Sequence, residues 1–161
     1  MRDRARGIIL FVLLGALAGC ATGTGDVVRE QPGPDYVQDI AARVAAADWS
    51  KTRDVTVVLS EYKFAPADPI FQVRRAYRLI LRNAGKNTHT FVSEGFFKAI
   101  AVQKLVSATG TIENPALESI ELAPGAEKQL YFVPVKRGTF ALECSVLLHD
   151  TFGMEGRITI L

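Results

Sequence analysis

The chain has 161 residues, enough for one domain with a proper core and too few for two comfortable ones. Its 19 basic and 17 acidic residues leave a formal charge of +2, with no long charge run. That balance offers no case for a nucleic-acid partner, which requires a concentrated basic face.

Taken in chain order, residues 1–19 read as an address. Arg2, Arg4 and Arg6 make a basic start, and residues 8–18 (IILFVLLGALA) are apolar but too short to span a bilayer. The stretch then closes as LAGC on Cys20. It resembles the bacterial lipobox, which implies that Cys20 is lipidated and begins the mature chain. The protein is then expected in the cell envelope, tethered to a membrane and facing the periplasm. Ala21 stands where Asp would mark inner-membrane retention, which favours the outer membrane of a Gram-negative cell. Without residues 1–19 the chain carries 16 basic and 16 acidic residues, so the sequence pI of 8.6 reports the leader. With Cys20 lipidated, Cys144 has no partner within the chain. In an oxidising envelope it is either buried and inert, or held by something other than a disulfide.

Residues 20–34, rich in Gly, Pro and small polar side chains, read as a flexible tether. Over 35–50, Asp35 stands in a cap position and Val37, Ile40, Ala41 and Val44 recur at helical spacing, predicting an N-terminal helix. From residue 51 to 161 the pattern is that of one domain of alternating strands. DVTVVLS puts Val55, Val57 and Leu59 on one face. AYRLILRN puts Tyr77, Leu79 and Leu81 inward, with Arg78, Ile80 and Arg82 outward. Arg74, Arg75, Arg78 and Arg82 read as a solvated strand face. HTFVS, SIELAPGAEKQLYFV, TFALEC and GRITIL supply further strands, with turns at Pro124-Gly125 and Lys136-Arg137-Gly138. The segment 93–106 offers Ser93 as a cap and Phe97, Ile100, Ala101 and Leu105 at helical spacing, predicting an inserted short helix followed by a loop. Seven or eight strands with frequent turns make the expected fold class all-β, a two-sheet Greek-key β-sandwich with that short inserted helix and the N-terminal helix.

The stretch CSVLLHDTFGM holds Cys144, His149 and Met154, in a chain with only two Cys, two His and two Met. It falls between the strands TFALEC and GRITIL, so one loop would present a thiolate, an imidazole and a thioether together. Thiolate and thioether favour Cu(I), imidazole accepts either oxidation state, and zinc also takes Cys and His. A blue-copper plane needs a second imidazole, with the Met weak and axial. The remaining histidine, His89, follows the strand AYRLILRN in NAGKNTHTF. Glu143 and Asp150, beside the ligand stretch, read as solvated charges. Hydrolytic chemistry has no visible triad.

Together these stretches resemble the cupredoxins, the plastocyanin- and azurin-like blue-copper proteins, over about residues 54–161. Asn83, Gly85, His89 and Phe91 match the stretch that carries the family's first His. Cys144, His149 and Met154 match its C-terminal ligand stretch, YKFAPADPIFQV its early strand pair, and IELAPGAEKQLYF its Pro-Gly hairpin. The resemblance implies a single mononuclear copper held by His89, Cys144, His149 and Met154. It implies no enzymatic activity but single-electron transfer to a transient redox protein partner, by a monomer. Val146, Leu147 and Leu148 would supply the apolar landing patch, and Thr90 would tie the two ligand loops. A copper carrier that holds and delivers Cu(I) is the alternative. The chain departs from the family in having Leu147-Leu148 where many members carry Pro-Gly before the second His.

Overall fold

In the computed structural model, which describes residues 25–29 and 33–161, the alternating stretches become strands as their periodicity predicts. β2 (Arg53–Ser60) buries Val57 and Leu59, and β5 (Tyr77–Asn83) buries Tyr77, Leu79 and Leu81. The two run parallel, with Val57 beside Leu81. Ile80 points outward as expected, outside the inter-sheet core, but is largely covered there. Arg78 pairs with Asp54, and Arg82 with Glu127 at 2.6 Å, so this face is charge-paired and solvated.

With β3 (Lys63–Ala65), β7 (Ile100–Ser107), β8 (Gly110–Glu113) and β10 (Glu127–Pro134), these strands form a sheet ordered β3-β2-β5-β10-β7-β8. The facing sheet contains β1 (Val27–Arg29), β4 (Ile70–Phe71), β6 (His89–Val92), β9 (Ala116–Leu122), β11 (Gly138–Glu143) and β12 (Glu155–Ile160), ordered β1-β9-β6-β11-β12-β4. The chain changes sheet at most of its connections, giving the expected Greek-key sandwich. One continuous core lies between the sheets. Within it Phe132 meets Phe71 at 5.2 Å and Phe96 at 5.4 Å, both edge-on, and stacks on Tyr77 at 5.8 Å.

Three expectations need correction. Within 93–106 only one helical turn forms, α2 (Glu94–Phe97), and the rest is β7. The strand wins because IAVQKLV pairs on both sides, with β10 and with β8. Ile100, Val102 and Leu105 join the inter-sheet core, whereas Ala101 is buried outside it. Burial on both faces is what mimicked a helical stripe. Ser93 does not cap α2; its hydroxyl donates to Ala141 O at 2.6 Å. The expected loop after it contains β8, paired to β7 as a hairpin.

The N-terminal helix is also shorter than 35–50. α1 spans Ile40–Ala45, and a single 3-10 turn follows at Trp49–Lys51. Asp35 does not cap α1, since its carboxylate pairs with Lys98 at 2.9 Å. Asp39 enters α1 in the left-handed conformation without a side-chain cap, and Trp49 Nε1 donates to Val44 O at 2.8 Å, folding the chain back. α1 packs against β7 and β10.

Finally, the expected tether contains β1, paired antiparallel to the edge of β9. Asp26 holds this segment down by accepting from Glu121 N at 2.8 Å and pairing with Lys128 at 2.7 Å. Farther on, Tyr36 is buried and donates to Leu117 O at 2.9 Å. The leader and Cys20 lie outside the described residues. Among the described residues, no helix is long and apolar enough to cross a membrane.

Candidate metal centre

His89 opens β6, and Cys144 follows the last residue of β11. These strands are neighbours, with Val92 opposite Glu143, so the pairing brings Cys144 and Ser145 alongside the start of β6. Thr90 Oγ1 accepts from Ser145 N at 2.7 Å, while Thr90 N donates to Cys144 Sγ at 3.4 Å. Thr90 therefore ties the two ligand-bearing segments together, as expected.

The loop from 145 to 153 is closed by its own backbone. Cys144 N donates to Met154 O at 3.3 Å, extending the β11–β12 ladder, and Met154 N donates to His149 O at 3.0 Å. Inside the loop, His149 N donates to Val146 O at 3.0 Å and Phe152 N to Leu148 O at 3.1 Å. Leu148 sits at φ 67°, a left-handed turn. For a residue with a Cβ this costs about 1–2 kcal/mol.

On the other side, Asn83 organises the loop that leads to His89. Its Nδ2 donates to Asn87 O and Leu122 O, both at 2.8 Å, and its Oδ1 accepts from Gly85 N at 2.8 Å. The turn between β2 and β3 holds the same loop from outside. Glu61 Oε1 accepts from Lys86 N at 2.7 Å and Asn87 N at 2.9 Å. Backbone donation, chiefly from Asn87, lowers the Glu61 carboxyl to about 2.

This scaffold brings three of the expected donors to one point. The Nδ1 atoms of His89 and His149 stand 3.1 Å apart, and Cys144 Sγ lies 3.5 Å from His149 Nδ1 and 4.0 Å from His89 Nδ1. Donors bound to a common ion at ~2.0–2.3 Å are about 3–4 Å from one another, so the spacing fits a single metal. Cys144 is 1% exposed, His89 0% and His149 6%. Burial, then the neighbouring His149, pushes the His89 pKa down, which keeps the imidazole neutral and free to coordinate. Met154 is fully buried in the same core cluster as Cys144, with its backbone bonded to both Cys144 and His149. The soft and intermediate character of the set suits copper.

The surface beside the centre is apolar. Leu147 is 85% exposed and Leu148 53%, while Val146 packs partly into the core. Phe152 is exposed, and Tyr62 leans on it at 4.8 Å while meeting the His149 ring edge-on at 5.0 Å. Glu143 and Asp150 are exposed, as expected of solvated charges. Sequence reasoning missed Glu61 and Tyr62, adjacent residues of one turn that reach both histidines. The signal for them was the short EYK interval between two strand patterns.

Replacing Thr90 by Val removes the acceptor for Ser145 N while keeping the shape. The expected loss is about 1–2 kcal/mol of folding stability, read from the denaturant midpoint at unchanged m-value.

No family model and no curated relative matches the chain. Solved structures do. A multicopper oxidase from Pseudomonas thermotolerans aligns at TM-score 0.56 and 18% identity, over 71% of this chain and 31% of its own. The copper nitrite reductase from Nitrosomonas europaea aligns at TM-score 0.53 and 13% identity, over 68% of this chain and 49% of its own. A reduced auracyanin from Roseiflexus castenholzii aligns at TM-score 0.47 and 16% identity, over 71% of this chain and 98% of its own. The chain thus spans about a third to a half of the oxidase and reductase it matches. Its two six-stranded sheets follow the architecture of a domain within those copper proteins, and its fold is the cupredoxin fold.

Proposed function

We propose that the protein is a mononuclear copper protein that carries single electrons in the cell envelope, tethered to a membrane through lipidated Cys20. The observation that carries this reading is the convergence of His89, Cys144 and His149, buried and with all three ligand atoms within 4.8 Å of one another. Bound copper would supply one-electron chemistry by alternating between Cu(II) and Cu(I). The chain's own residues do the rest. His89 and His149 would supply two imidazoles to the copper and Cys144 a thiolate. Met154 would add a thioether that tunes the potential, and the Thr90 tie keeps the ligand loops from shifting.

Delivery of Cu(I) is the competing job, and the burial of the donors speaks against it. Handing on a metal by ligand exchange requires an incoming donor to reach the ion, whereas Cys144, His89 and Met154 are each at most 1% exposed. An electron needs no such opening. A second copper centre, as an oxidase or reductase would require, lacks imidazoles, because both histidines of the chain are already in this cluster. The reading is therefore a carrier and not an enzyme.

The exposed Leu147, Leu148 and Phe152 form the landing zone for a redox partner, next to His149. Leu147→Asp should slow electron exchange by about tenfold, since substitutions within one interface move association rates over roughly one to three decades. The visible spectrum should stay in place. Voltammetry gives the companion test: a carrier shows a reversible one-electron wave, and a protein built for delivery instead passes Cu(I) to an acceptor.

A further inference from the structure

His89 Nε2 is buried and, alone among the buried side-chain nitrogen and oxygen atoms described, has no hydrogen-bond partner. A buried polar atom left unpaired is expensive, and its position indicates what it awaits. The nearest charge is the Glu61 carboxylate, whose Oε1 lies 3.5 Å away, just beyond hydrogen-bond length. Glu61 is anchored there by the backbone of Lys86 and Asn87 and by Asn87 Nδ2 at 3.1 Å. The β2–β3 hairpin, with Ser60 opposite Lys63, aims it at this loop. Space is reserved for the approach as well. A Cβ on Gly85 would stand 2.7 Å from both Glu61 carboxylate oxygens and 2.8 Å from His89 Nε2, so any side chain there would wedge the two apart.

We propose that Glu61 is a positioning residue of the metal centre, fixing His89 with its proton on Nε2 and its Nδ1 lone pair toward the metal, and biasing bound copper toward Cu(II) by its negative charge. The choice of tautomer follows from the geometry. With Nε2–H directed at Glu61, His89 Nδ1 is bare and accepts from His149 Nδ1 across the 3.1 Å contact in the metal-free protein. A ligand imidazole whose outer nitrogen donates to a carboxylate is also a stronger donor, which favours the more highly charged ion. The copper bias rests on the copper reading above; the tautomer does not.

The test has two arms on the full chain. Long-range proton–nitrogen correlation on the metal-free protein should show His89 protonated at Nε2. Glu61→Gln, which keeps an acceptor oxygen, should preserve this, and Glu61→Ala should lose it. On the copper-loaded protein, Glu61→Gln should shift the equilibrium about tenfold toward Cu(I), raising the midpoint potential by about 59 mV for one electron. Gly85→Ala should raise it in the same direction with Glu61 still present. Protonation of His89 at Nδ1, or a Glu61→Gln potential equal to that of the native chain, would overturn the role of Glu61. Failure of the chain to bind copper would instead defeat the functional reading, and the nitrogen correlation would still decide on Glu61.

Discussion

Cys144→Ser should abolish the intense visible absorption of the copper-loaded protein and weaken Cu(II) binding by more than about 100-fold. The absorption originates in charge transfer from a thiolate, and a serine hydroxyl remains protonated and hard at neutral pH. Loss of a direct ligand should exceed the roughly 10–100-fold cost of losing an outer partner. The substitution is otherwise mild. Ser is close to Cys in size, and the hydrogen bonds that Thr90 sends to Sγ, at 3.4 Å from its backbone and 3.6 Å from its hydroxyl, have an oxygen to receive them. The metal-free variant should therefore unfold close to the native midpoint, separating the chemical loss from a folding defect. Absorption spectroscopy and copper titration read the first effect, and thermal unfolding the second.

Phe132→Ala should do the reverse, leaving the spectrum in place while costing about 3–5 kcal/mol of stability. Phe132 is fully buried and packs on Phe71, Tyr77 and Phe96, so truncation empties the centre of an aromatic cluster that no neighbour can refill without moving. At ~4 °C per kcal/mol for a domain of this size, the midpoint should fall by roughly 12–20 °C. The proposed copper ligands lie at the other end of β5. Phe132 is opposite Tyr77, and Asn83 organises the His89 loop, about 20 Å away at ~3.3 Å per strand residue. A variant that folds at low temperature and keeps its absorption, but melts early, is the expected result. Differential scanning calorimetry beside a visible spectrum measures both.

The cluster of His89, Cys144 and His149 was legible because copper chemistry restricts residue types so strongly. Two imidazoles, one unpaired thiol and one internal thioether leave little freedom of assignment, and the strand pattern around them placed both ligand stretches at sheet ends. Strands with one buried face, such as β2 and β5, were legible by alternation. β7 was not, because α1 packs on it while Ile100, Val102 and Leu105 face the inter-sheet core, and burial on both faces erases the alternation that marks a half-buried strand. α1 itself was overextended because its apolar spacing continues past Ala45, while the hydrogen bond from Trp49 to Val44 O that turns the chain back is invisible in a spacing pattern. β1 escaped notice since its anchor, Asp26 on Lys128, joins residues 102 positions apart. Glu61 and Tyr62 were hidden for the same reason. Neither is a metal ligand by type, and only the hairpin brings them against His89 and His149.

The most direct measurement is a titration of the metal-free chain with Cu(II), followed by visible absorption and by metal content. One copper bound per chain, with an intense band in the red, is the result required by a thiolate and two imidazoles closing on one ion. Saturation without that band, or no retained copper at all, would contradict it.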